Sequence, residues 1–142
     1  MMDRRGFVAA SGMGVLAALG LPDPDVVLRR ARGGRVGRGE VAAVRRVTKS
    51  LGDVAAEHGG GQARRLAVRF LDDRVAPWLS DVRSTAVACE LFTAASQLSH
   101  LVGWMEQDEG DHEAAGLHYA HSFHLAAEAG DAESAATARC VG

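Results

Sequence analysis

Apolar residues return along this chain at helical intervals. Val41, Val44, Val47, Leu51, Val54 and His58 follow one another at steps of three and four, which predicts a helix over about 40–57 with one buried stripe. Gly59, Gly60 and Gly61 end it, because glycine reaches the positive φ angles that stop a helix and turn the chain. A second helix is predicted over about 62–76, its apolar face made of Ala63, Leu66, Ala67, Phe70 and Leu71. Pro77 and Trp78 close it or kink its last turn. So short a connection between the two helices implies an antiparallel hairpin.

A longer helix is predicted over about 83–107, with Val87, Leu91, Ala94, Leu98, Val102 and Met105 in register. Asp108-Glu109-Gly110-Asp111 reads as a turn, with Asp111 as the N-cap of the next helix and Glu113 favourable to its dipole. That fourth helix, about 111–129, is expected to bury Ala115, Tyr119, Ser122, Phe123 and Ala126. Gly130-Asp131 should end it and start a short last helix over about 132–139. No segment alternates apolar and polar residues long enough to predict a strand. Upstream, Pro22-Asp23-Pro24-Asp25 reads as a turn before a short helix through Arg30, and a Gly/Arg linker follows. The pattern divides the chain into a lead-in helix and linker over 1–38 and a helical domain over 39–142.

The resulting expectation is an all-α fold of about two helical hairpins plus a partial helix. Gly103, Gly110, Ala115 and Tyr119 stand at spacings of 7, 5 and 4, as small and aromatic residues do where the two helices of a tetratricopeptide repeat cross. Gly103 would let the backbones approach, Ala115 would fit the crossing, and Tyr119 would fill the groove beside it. Ser99, Glu106 and Ser122 occupy the other signature positions, and the first hairpin carries Arg64 or Arg65 at its crossing. The repeats are therefore read as degenerate. The last helix, rich in Ala132, Ala135, Ala136 and Ala138, is too short to stand alone. It is expected to leave a face that self-associates or takes a partner at the C-terminal end.

Composition supports helices: 47% of the 142 residues are hydrophobic but only 5% aromatic, so Ala, Val and Leu build the core. A net charge of −2 conceals two unlike halves. Residues 1–70 hold 13 Lys and Arg against 6 Asp and Glu, whereas residues 71–142 hold 3 against 12. The basic stretch Arg29, Arg30, Arg32, Arg35, Arg38 alternates with glycine and has no aromatic residue to stack on a base, so it reads as a charged linker and not a single-strand nucleic-acid site. Cys89 and Cys140 form no C-x-x-C pair and read as free thiols.

Candidate chemistry is sparse. His121, His124 and Glu128 share one outward stripe of the fourth helix, a set that could hold zinc but reads better as a solvated face, since no other segment obviously adds a ligand. His118, His58 and His100 have bland readings. No nucleophile elbow, P-loop or dinucleotide fingerprint is present, and Asp72-Asp73 and Asp108-Glu109-Asp111 are turn or cap acids. The expectation is a protein with no catalytic residue, no cofactor and no metal.

Several stretches resemble the C-terminal part of actinobacterial transcriptional regulators that join a Cro/CI-type helix-turn-helix to a tetratricopeptide-like region. The residues that carry the resemblance are Arg4-Arg5-Gly6-Phe7, Val44-Arg45-Arg46-Val47-Thr48 leading to Gly59-Gly60-Gly61, Val75-Ala76-Pro77-Trp78-Leu79, the run from Leu101 to Gly110, and the run from Tyr119 to Ala126 through Ala129-Gly130-Asp131. Gly103-Trp104-Met105 and Ala129-Gly130-Asp131 are the most specific of them. The resemblance implies a regulatory interaction module that binds a protein or peptide, such as a second copy or a full-length regulator. It implies no sequence-specific DNA binding, because the helix-turn-helix would lie ahead of Arg4-Arg5, and it makes this chain a shortened member of the family. Asp3-Arg4-Arg5-Gly6-Phe7-Val8 also resembles a twin-arginine export signal, ahead of an apolar run from Ala9 to Leu21. The family resemblance makes that segment an internal linker and the protein cytoplasmic. The alternatives are an exported helical protein and a non-functional gene remnant.

Overall fold

The computed structural model describes residues 36–141, with side chains as far as Ala135. The lead-in helix, most of the Gly/Arg linker, the twin-arginine segment and the side chain of Cys140 lie outside the described residues. Those described are all helix and turn: α1 (Arg38–His58), α2 (Gly61–Phe70), a π-helical turn (Leu71–Val75), α3 (Ala76–Asp81), α4 (Thr85–Asp108) and α5 (His112–Val141). The fold is all-α. No helix among the described residues is long and apolar enough to cross a membrane.

Local chemistry sets each boundary. Glu40 Oε2 accepts a 2.7 Å hydrogen bond from the Gly37 N–H at the start of α1, the return half of a capping box. Val41, Val44, Val47 and Leu51 are buried as the periodicity requires, while Val54 is only half-buried and His58 is exposed. At the far end Gly59 takes φ +86°, and its N–H returns to Ala55 O at 2.9 Å. Of the three glycines it alone has positive φ, and Gly61 already belongs to α2.

Pro77 does not close the helix. Its ring cannot donate a hydrogen bond and crowds the carbonyl one turn back, and the chain responds by widening that turn. The Ala76 N–H reaches Leu71 O, five residues back, and helix resumes to Asp81. A π-helical turn of this kind absorbs a local misfit without ending the helix. Trp78 is buried there with its ring edge-on to Phe70, centroids 6.0 Å apart.

α4 is the central element, with α1 and α2 against one side and α5 along another. Ser84 caps it by accepting from the Val87 N–H at 3.3 Å. Leu91, Ala94, Leu98, Val102 and Met105 are buried in the expected stripe, and Val87 is half-buried. A second buried stripe, of Ala95, Ser99, Gly103 and Glu106, serves α5.

α5 departs from expectation twice. Gly130 and Asp131 do not break it; one helix of 30 residues runs from His112 to Val141. A glycine within a helix costs about 1 kcal/mol. That cost is offset because Leu125 and Ala129 are buried against α4, whose 24 residues need a partner of similar length. The buried stripe is also rotated. Ala115 and Ser122 are inside and Tyr119 is half-buried, but Phe123 and Ala126 are exposed. Ala115, Ser122 and Ala129, with His118 and Leu125 between them, form the heptad spacing of a helix that packs on a single neighbour. The expected extra helix over 132–139 is thus the end of α5.

Candidate functional site

The α4–α5 hairpin holds most of the polar chemistry among the described residues. Its register is fixed by two serines. Ser96 Oγ donates to Ser122 O at 2.9 Å, and Ser122 Oγ donates to Ser96 O at 2.8 Å. A reciprocal pair of side-chain-to-carbonyl bonds forms only where two backbones nearly touch. Counting seven residues from each serine places Gly103 level with Ala115, so small residues recur at each heptad. The pair therefore reads as a close-packed antiparallel coil. Its helices of 24 and 30 residues together far exceed the 34 residues in which a tetratricopeptide repeat holds both of its helices.

The four signature residues sit at the turn end of this hairpin. Gly110 takes φ +88° and reverses the chain. The Asp111 N–H returns to Glu106 O at 2.9 Å, and Asp111 Oδ1 caps α5 by accepting from the Ala114 N–H at 3.1 Å. Ala115 is buried. Gly103 is covered by the ring of Tyr119: a Cβ at Gly103 would lie 2.7 Å from Tyr119 Cδ1 and Cε1 and 3.2 Å from Cγ. The first obstacle at Gly103 is thus Tyr119, not Ala115. Tyr119 is itself held at both ends. Its hydroxyl donates to Gln107 Oε1 at 2.8 Å, and its ring meets His100, centroids 5.1 Å apart.

Sequence reasoning missed a contact between a buried carboxyl group and an imidazole next to this ring. Glu106 is 2% exposed, and its carboxylate contacts Nδ1 of His118. The same nitrogen lies 3.3 Å from Ala114 O. Ser99 Oγ, one heptad back, is buried without a hydrogen-bond partner. The signal for these contacts was the polar residues in the second stripe of α4, which single-face periodicity assigns to no partner. At the turn, Glu109 Oε2 lies 3.2 Å from Arg64 Nε. It reaches over the N-terminus of α2, where a carboxylate is favoured by the helix dipole, and ties the two inter-helix turns together.

The outer surface of the hairpin carries large apolar groups. Trp104 is 43% exposed, Leu117 69% and Phe123 75%. Trp104 is one turn from His100 on α4, and Phe123 is one turn from Tyr119 on α5. Because His100 and Tyr119 touch, the four rings run along one flank of the hairpin. His121, His124 and Glu128 are all exposed, and no group of three His, Cys, Asp or Glu among the described residues is arranged to hold a metal ion. No family model, characterised protein or solved structure matches this chain.

Proposed function

We propose that this protein is a regulatory interaction module that binds a protein or peptide partner through its α4–α5 hairpin. The observation that carries the reading is the exposure of Trp104 and Phe123 along a helix pair whose inner face is already packed. Large apolar side chains exposed near one another mark interaction surfaces. Aromatic residues are the commonest anchors of such surfaces. The regulatory part of the proposal rests on the resemblance to helix-turn-helix regulators with tetratricopeptide-like regions. The small-residue crossing at Gly103 and Ala115 fits that family, although the hairpin is long for a single repeat.

Site-directed photo-crosslinking in cells tests it. Benzoylphenylalanine in place of Phe123 should give one dominant adduct, and the same group in place of Lys49 on exposed α1 should not. Equal labelling from both positions, or none from position 123, refutes the proposal. An adduct whose second component is the same chain identifies the partner as a second copy.

A further inference from the structure

We propose that the aromatic flank of Trp104, His100, Tyr119 and Phe123 is a docking surface for an arginine-bearing segment of the partner, an inference that rests on the interaction reading above. Charge selects the class of occupant. Residues 85–138 contain nine Asp and Glu and no Lys or Arg. Glu90 faces Arg38, Glu106 faces His118 and Glu109 faces Arg64. Asp108, Glu113, Glu128 and Asp131 are left exposed around the hairpin, with Asp108 one turn from Trp104. A field of this sign repels phosphate backbones and anionic bilayers and attracts cations. It also opposes the simplest self-association, because pairing this hairpin with itself would bring like charges together.

The rings then select among cations. Tyr119 is fixed by Gln107 and His100 and rests on Gly103, so its position is set before a partner arrives. Trp104 and Phe123 extend the row on either side. A guanidinium stacks flat on such rings and is attracted by their electron-rich faces, and it loses less hydration than an ammonium in doing so. Asp108 beside Trp104 and the acidic charge of the hairpin guide the cation, and the rings hold it.

The experiment uses the full chain and a synthetic helical peptide with three arginines one turn apart and leucines between them. Two controls replace every arginine by lysine or by glutamate. Acrylamide quenching reports on Trp104, because the other tryptophan, Trp78, is buried. The arginine peptide should protect Trp104 from quenching, and its affinity should fall as salt rises. Lysine should weaken binding about threefold to tenfold, and glutamate should abolish it. Trp104→Ala and Phe123→Ala, with unchanged circular dichroism, should each weaken binding about tenfold by peptide anisotropy.

Equal binding of the arginine and glutamate peptides overturns this inference while the interaction reading stands. Failure of every peptide to protect Trp104 overturns it as well, and the crosslinking result then decides the broader proposal alone. If the free chain sediments as a dimer that Phe123→Ala dissociates, the flank belongs to a second copy and the arginine assignment falls.

Discussion

Replacing Gly103 by alanine should reverse its effect on stability according to what stands at position 119. A methyl group at Gly103 would lie 2.7 Å from two ring carbons of Tyr119 and 3.2 Å from Cγ. Carbon atoms in contact settle near about 3.5–4.0 Å, so the ring must retreat by roughly 1 Å. The clash falls on the root of the ring as well as its edge, so a small tilt does not relieve it. Moving the ring also disturbs the 2.8 Å bond to Gln107 and the stacking on His100. Overpacking of this kind costs about 1–3 kcal/mol. Alanine is preferred over glycine within a helix by about 1 kcal/mol. The expected result is a net loss of roughly 0–2 kcal/mol in the native background. In a Tyr119→Ala background the obstacle is gone, and Gly103→Ala should stabilise by about 1 kcal/mol. The coupling over the double-mutant cycle should be about 1–3 kcal/mol. Circular-dichroism melts resolve this, since 1 kcal/mol moves Tm by about 4–8 °C in a domain of roughly 100 residues. Equal stabilisation by Gly103→Ala in both backgrounds would refute the role given to the ring.

Ala115→Leu enlarges a buried residue level with Gly103 and should cost about 1–3 kcal/mol; a melt with no loss would remove Ala115 from the crossing. His118→Ala strands the buried carboxylate of Glu106 and should cost about 1–3 kcal/mol in urea denaturation. A double-mutant cycle with Glu106→Gln should show coupling between the two positions. The purified chain should show no sequence-specific duplex binding in gel shifts, and weak binding through Arg29–Arg38 should vanish as salt rises. A specific shift at physiological salt would contradict the exclusion of DNA.

The helices themselves were legible in the sequence wherever one strong apolar face met one kind of neighbour. The stripe of Val41, Val44, Val47 and Leu51 predicts α1 to within two residues of its ends, and Leu91, Leu98, Val102 and Met105 do the same for α4. Asp111 and Gly110 announce their cap and turn, because those roles depend on one residue's own chemistry. The charge asymmetry and the lack of a strand pattern are likewise properties of residue order alone.

Tertiary structure decided what depends on a second helix. Gly130-Asp131 looks like a stop, and only the length of α4 beside it shows why α5 continues. Pro77 reads as an end or a kink, and the buried Trp78 set against Phe70 accompanies the π-helical turn that carries the chain past it. The polar stripe of Ser96, Ser99 and Glu106 gives no signal of burial by itself. It acquires partners only when Ser122 and His118 arrive from α5. For the same reason the buried face of α5 is rotated from the expected one. Hydrophobicity favours Tyr119, Phe123 and Ala126, but a helix packed on one neighbour at close approach buries its heptad of small residues and leaves Phe123 outside. Phe123, one end of the aromatic flank proposed to bind a partner, is what that rotation exposes.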